Sequence, residues 1–506
     1  MNQTVLASAD NGFDIWSLTA MGIQLLSMLF IFMIGVVALV AVLVFLVDRL
    51  QTADAIRRNY PVIGRFRGVF TQLGEFFRQY FFAMDREEMP FNRAERDWVA
   101  RAASGESNTV AFGSTRNTSV PGTPIFANAA YPPLSGDGAA ADAMTIGPGA
   151  REPYEAPSFF NISGLSYGAV SRPAIEALSK GAAQAGIWLN TGEGGLSPCH
   201  LLGGCDVVFQ IGTANYGVRT PDGALCDDRL RDVAAHPQVR MIEIKLAQGG
   251  KPGKGGILPA GKVTPEIAEV RGIPVGQDSI SPNRRLDVDS DDTLLDLIAH
   301  VRAVTGKPVG IKTVAGTMEA FETLFERINA REPDSAPDFI ALDGGEGGTG
   351  AAPLPLIDLV GMSIREALPL LADLRADHGL QDRIRLIASG KLSHPGDAAW
   401  ALAAGADFVT SARGFMFALG CIQALKCNKN TCPTGITTHN PRLQRGLVAE
   451  TKWDKVARYA RGVIAEVGMI AQSVGVDDPR ALRRAHVRIV QPDGRSTPMH
   501  RLYPPH

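Results

Sequence analysis

The sequence predicts a (β/α)8 barrel with Gly-rich loop insertions, preceded by one transmembrane helix and a helical juxtamembrane region. Three observations lead there. Short apolar runs rich in β-branched residues recur through the second half of the chain: MIEIKL, PVGIKTV, DFIALDGG, IRLIASGK and DFVTSARG. Helical stretches alternate with them, at Asp291–Val304, Met318–Ala330 and Pro395–Ala404. Strands alternating with helices argue for a parallel sheet. The runs also end in glycine-rich loops bearing polar residues, as in barrels whose sites gather at the C-terminal strand ends. A doubly wound sheet is the other solution, but no G-x-G-x-x-G follows a first strand.

At 506 residues the chain is long enough for one large domain with attachments. A net charge of −2 argues against a phosphate-neutralising nucleic-acid surface as the main business. Six cysteines in a chain of this length form no disulfide framework, which favours a reducing compartment.

The elements follow in order. No charged residue lies between Asp14 and Asp48, and the 23 residues Leu25–Val47 are apolar but for Ser27. That exceeds the ~20 residues needed to cross a bilayer. A cleaved signal peptide would need a basic leader and a shorter apolar core. We therefore expect an external tail at 1–20 and a membrane helix at 21–48. Arg49, Arg57, Arg58, Arg65 and Arg67 follow the span and no base precedes it. The positive-inside bias puts the N-terminus outside a bacterial-type cell membrane and the rest in the cytoplasm.

Residues 49–104 read as helical. FTQLGEFFRQYFFAMDREE carries its aromatics on one face. Ordinary core packing is the favoured account of that face, and the membrane surface is the second. Residues 105–157, rich in Gly, Pro, Ser and Asn, read as an extended strap. The barrel is expected over 158–437. Helices and a loose tail, from residue 491, follow over 438–506.

Cys421, Cys427 and Cys432 stand in CIQALKCNKNTCP. Closely spaced thiolates on a loop hold soft metals. Three without a fourth suit a three-iron cluster, or a cluster with one other ligand. Zinc would take His439 as its fourth ligand, and three merely buried cysteines form the plain alternative. SGLSYGAVSRPA, from Ser163, is a tight turn whose backbone N–H groups can approach a flat ring or a phosphate, or simply a turn. NTGEGG sets one carboxylate, Glu193, in a glycine loop. KLAQGGKPGKGGILP places Lys245 at a strand end, with Gln248, Lys251 and Lys254 on a possible anion cradle or as solvated lysines. DGGEGGTGAAP supplies backbone donors at Gly347 and Gly348. ASGK and SARG end the last two strands, where barrels of this kind bind phosphate, so a phosphate-bearing cofactor such as FMN fits there. Lys312 ends another strand, and a cation there would favour anionic reduced flavin.

Together, ISGLSYGAVSR, NTGEGG, IKLAQGGKPGKGG, ISP, GGTGAAP, ALGCIQALKCNKNTCPTG and NPRLQRGL resemble the synthase domain of glutamate synthase, in order and spacing, over about residues 156–475. Within that family the chain is most similar to stand-alone, FMN-binding proteins with an N-terminal membrane helix. The resemblance implies a [3Fe-4S] cluster on Cys421, Cys427 and Cys432. It implies flavin contacts at Ser163, Gly164, Leu165, Ser166, Lys312, Gly347, Gly348, Gly390, Arg413 and Gly414. It places 2-oxoglutarate on Glu193, Gln248, Lys251 and Arg271, with Lys245 as a further lysine of the site.

The implied activity is reductive amination of 2-oxoglutarate to L-glutamate. The large enzymes carry a glutaminase domain with an N-terminal cysteine, whereas the first cysteine here is Cys199. Ammonia is thus expected from solution or a partner, or replaced by another amine. Electrons are expected from a separate donor, a ferredoxin or a reductase. Ile257 stands where the large enzymes have Gln, Lys254 where they have Glu, and Gly345-Glu346 where they have His-Asp. These departures bear on the substrate rather than on flavin or cluster. Two further accounts are a related enzyme for another amine or keto acid, of the N-alkylglutamate synthase type, and a non-catalytic electron-transfer module.

Overall fold

A computed structural model describes residues 15–51, 54–82, 84–134 and 139–504. The tail expected at 1–20 lies outside the described residues up to position 14. The chain divides into two compact units, Met1–Pro90 and Phe91–His506.

The first unit opens with a single helix, Ile15–Leu50, whose apolar side chains from Met21 onward are almost all exposed. Thr19–Leu50 is long and apolar enough to cross a membrane. Helices Ala55–Asn59 and Ile63–Phe77 follow, the latter running into a π turn at Arg78–Phe82. Arg65 grips Asp48 with Nε (2.9 Å) and Nη2 (2.7 Å), and the Val62 N–H donates to the same carboxylate (3.0 Å).

The second unit is built on a closed, eight-stranded parallel barrel. In chain order its strands are β1 (Phe160–Ile162), β2 (Leu189–Asn190), β3 (Val207–Ile211), β4 (Val239–Lys245), β5 (Val309–Val314), β6 (Phe339–Asp343), β7 (Arg385–Ser389) and β8 (Phe408–Ser411). Most of their residues are buried, because helices cover the outside and side chains fill the inside. The doubly wound alternative is therefore set aside. Three expected helices form at Asp291–Thr305, Glu319–Asn329 and Pro395–Ala404.

The bottom of the barrel is plugged by residues read from sequence as a strap. An antiparallel pair, Met144–Ile146 with Tyr154–Ala156, buries Ile146, Tyr154 and Ala156 against Trp188, Met241, Phe339 and Phe408. A ring of large side chains at the strand starts leaves one apolar plug to be filled, and this pair fills it. The stretch read as helical to residue 104 ends in helix Arg93–Ser104, which belongs to the second unit. A capping box of Asn92 and Glu95 starts it, and Val99, Ala102 and Ala103 are buried. It packs on the long helix Ala449–Val474.

The tail expected to be loose from residue 491 is ordered to 504. Ser496–Pro498 pairs with Val487–Val490, which pairs in turn with Pro124–Phe126. The next helix, Met499–Leu502, buries Met499 completely. Its polar composition hid one apolar anchor, a local hairpin pairing and one strand pairing of long sequence separation.

Candidate active site

Strand register sets the site. In neighbouring parallel strands, paired residues project to the same side. Lys312 of β5 pairs with Lys245 of β4, so two lysines stand side by side at the barrel mouth. Each has its own carboxylate. Lys245 Nζ lies 3.0 Å from Glu193 Oε2, and Lys312 Nζ lies 3.2 Å from Asp343 Oδ1. Lys245 also donates to Gln248 Oε1 (2.5 Å), and Lys312 reaches Ser163 Oγ at 3.4 Å. One layer down, Gln210 and Glu243 are paired in register. Glu243 accepts from Gln210 (2.6 Å) and Asn190 (2.9 Å), closing a buried polar network beneath the lysines.

Charge balance follows from burial and neighbours. Burial pushes the Glu193 carboxyl up, but Lys245, Lys251 and Arg271 override it and hold the group below the ordinary carboxylate range. Burial pushes the Lys312 ammonium down, but Asp343 and Glu243 more than restore it, so it stays a cation. Burial lowers Lys251, with Glu193 acting against the shift. Arg271 is also pulled down by burial. It donates to Tyr167 O (2.9 Å) and Ser279 Oγ (3.1 Å) and stacks over Tyr216 at 5.0 Å, while its Nε has no protein partner.

Three cavities open above these groups. The first, about 690 Å3 measured out to open solvent, is lined by Ser163, Gly164, Ser166, Lys312, Gly347, Gly348, Gly390 and Arg413, and by Lys245 and Gln248. The second, about 980 Å3, takes in Leu165, Glu193, Gln248, Lys251 and Arg271. The antiparallel pair Ile257–Leu258 with Ser279–Ile280 roofs it. A Cβ on Gly256 would stand 2.4 Å from Glu193 Oε1, so a larger residue there would push the carboxylate out of its place beside Lys245. The third, about 470 Å3, is lined by Cys421, Cys427 and Cys432. Cys427 also lines the second cavity, and Arg413 lines all three.

Eight of the ten residues expected at the flavin therefore line the first cavity. Leu165 lines only the second. Gly414 lines none of the three; a Cβ there would meet Tyr459 Oη at 1.9 Å, so its small size serves helix packing.

The cysteine loop is under backbone constraint. Gln423, Leu425 and Asn430 all have positive φ, uncommon outside glycine and most unusual for a leucine. Cys432 is pushed up by burial, yet hydrogen bonds from Thr434 and Thr437 bring it down to about 7. Burial raises Cys421. Among the described residues no three His, Cys, Asp or Glu side chains converge on one ion. His439 directs Nε2 at Gly168 O (2.7 Å). A cluster binds each sulfur to a different iron, so three cysteines around one cavity fit it without meeting at a point.

The region from 140 to 477 matches the conserved region in glutamate synthase. The chain belongs to the glutamate synthase family. Its relatives include the glutamate synthase large subunit-like protein YerD of Bacillus subtilis, 37% identical, with 92% of this chain and 95% of YerD covered. An archaeal-type glutamate synthase [NADPH] of Thermotoga maritima is 34% identical over 65% of this chain, which spans 61% of that enzyme. Among solved structures, mandelate oxidase with (S)-4-hydroxymandelic acid aligns with a TM-score of 0.46 at 16% identity, over 78% of this chain and 98% of that one.

The positions that depart from the large enzymes of the family separate by role. Ile257 lines the second cavity. Glu346 instead caps helix Ile364–Asp377, accepting from Ile364 N (3.0 Å). Lys254 lines none of the cavities described.

Sequence reasoning missed Asp343, Gln210, Glu243, Lys391 and Phe91. Asp343 sits in the quoted DFIALDGG as an acid closing a strand, a signal that was available. Lys391 follows Gly390 with φ of 54° and lines the first cavity. Phe91 lines the same cavity, clamped by Gln423: its N–H donates to Gln423 Oε1 (3.2 Å) and its carbonyl accepts from Gln423 Nε2 (3.0 Å). Nothing local announced a partner 332 residues away.

Proposed function

We propose that this protein is an FMN- and iron–sulfur-dependent oxidoreductase that makes L-glutamate by reductive amination of 2-oxoglutarate. The observation that carries the reading is the junction at Arg413, where a glycine- and lysine-lined cavity, a cation-rich buried cavity and a three-cysteine cavity meet. FMN would occupy the first, 2-oxoglutarate the second and a [3Fe-4S] cluster the third. When bound, the flavin supplies hydride to an imine carbon and the cluster supplies one-electron relay.

The chain's own residues do the rest. Lys251 and Arg271, both lining the second cavity, hold the two carboxylates. Glu193, kept anionic by its lysines, orients the amine and takes its proton as the imine forms. Lys312 fixes positive charge beside the isoalloxazine. Gln248, shared by the first two cavities, aligns substrate against flavin. A separate electron donor, a ferredoxin or a reductase, feeds the cluster. The helix Thr19–Leu50 tethers the enzyme to the cell membrane, with the barrel on the cytoplasmic side.

A second reading shares the keto acid and changes the amine. The roof and wall facing the cations are apolar at Val170, Ile257, Leu258, Ala351 and Met416, a lining that suits an alkylamine better than ammonia. One experiment addresses both. The full chain, purified in detergent without oxygen and reduced, is given 2-oxoglutarate with ammonium or with methylamine. Flavin absorbance returning with glutamate as product supports the first reading; return only with methylamine, and N-methylglutamate as product, supports the second. Flavin that stays reduced with every amine and keto acid tried means the protein is an electron-transfer module.

A further inference from the structure

Among the described residues of the first unit no apolar side chain is buried. Helix Ile63–Phe77 and its π turn present Phe66, Phe70, Leu73, Phe76, Phe77 and Phe81 with exposures between 39% and 68%. By helical spacing these positions fall on one side, with Arg65, Arg67, Thr71 and Gln72 on the other. Core packing, the expectation favoured from sequence, would have buried the aromatic side; among the described residues no apolar side chain before Phe91 is buried. A soluble surface seldom leaves so continuous an aromatic patch uncovered.

We infer that Ile63–Phe82 lies in the headgroup–acyl boundary of the same membrane that the preceding helix enters, with its aromatic side toward the lipid. The inference rests on reading Thr19–Leu50 as the membrane span. Three features select lipid as the occupant. The first is continuity: the Asp48–Arg65 pair ties the start of this helix to the end of the apolar one, at the level where the span leaves the bilayer. The second is charge. Arg49, Arg57, Arg58 and Arg67 flank the patch with no lysine among them, suited to the phosphates of anionic lipids. The third is composition. Phenylalanines dominate the patch and Tyr80 joins it half-exposed, a mixture that partitions to the interface rather than to the bilayer centre. The helix would then hold the chain flat on the membrane before it enters the catalytic unit at Phe91.

The test uses the full chain in vesicles of phosphatidylcholine and phosphatidylglycerol, with bromine placed either near the headgroup or near the bilayer centre. Phe70→Trp, Phe81→Trp and Phe32→Trp are compared with the parent protein. The expected result is loss of the added emission at positions 70 and 81 with shallow bromine, and at position 32 with deep bromine. Quenching at 32 with none at 70 and 81 would overturn the interfacial helix while leaving the span intact, and would mean that protein or water covers the aromatic face. No quenching at any of the three would overturn the span and the interfacial helix together.

Discussion

Two buried lysines side by side are tolerable only because each is matched. An unpaired buried charge costs far more than a matched pair gains, so the Lys245–Glu193 and Lys312–Asp343 pairs are best read as holding charge where the chemistry needs it. Glu193 carries the larger burden, facing Lys245, Lys251 and Arg271 at once. Its folded-state acidity is stronger than in the unfolded chain. Its ionisation therefore adds stability above the ordinary glutamate pKa of about 4.3, and that contribution is lost as pH falls through the lower folded value. Glu193→Gln is expected to cost on the order of 3 kcal/mol at neutral pH, because it strands buried cations. It should also flatten the decline in stability below about pH 4.3. Urea unfolding of both proteins across that range checks the sign; an unchanged acid slope would mean the carboxyl is not held ionised.

At the scale of the element, the cysteine loop depends on a clamp. Gln423, at positive φ, spends both ends of its amide on the backbone of Phe91, whose ring packs edge-on against Phe417 at 5.2 Å. Phe91 lines the first cavity and Phe417 the third, so one side chain couples the walls of two. Gln423→Leu keeps the volume but strands a buried N–H and a buried carbonyl. The expected loss is about 1–3 kcal/mol for each stranded group, seen as a lower urea midpoint, with flavin released earlier in the titration than in the parent. Simultaneous loss of flavin and fold in both proteins would count against the coupling. The same elements show what the sequence could express. The strands and their glycine loops were legible because strand composition and turn chemistry are local properties, and so was the cysteine spacing. Gln210, in VVFQI, and Glu243, in MIEIKL, lie more than 30 residues apart, and only strand register makes them partners. The resemblance implies a flavin contact at Gly414; that Tyr459, on a helix far along the chain, fills the space a Cβ there would need was not legible in SARG.

For the whole molecule, burial draws the line between parts that fold together. The second unit's core begins at Phe91 and extends to Met499. Helix Arg93–Ser104 is integral to it: Trp98 donates to Glu466 (3.2 Å) and lies 6.1 Å from the Tyr459 ring, and Val99, Ala102 and Ala103 pack inward. Tyr459 in turn contacts Phe160 of β1 and Phe415, so this helix supports the barrel wall from outside. Two truncations should then behave differently. A chain starting near residue 86 keeps the helix, its capping box and Phe91, and is expected to fold without detergent, with a cooperative thermal transition. A chain starting at residue 105 uncovers the face of Ala449–Val474 that the helix occupied. Removing three buried side chains and the Trp98 contact exposes apolar area at ~25 cal/mol per Å2, enough to threaten a fold of ordinary marginal stability. Thermal melts followed by circular dichroism, with size-exclusion chromatography, separate the two. If the shorter chain melts like the longer one, helix Arg93–Ser104 belongs with the membrane-proximal region instead.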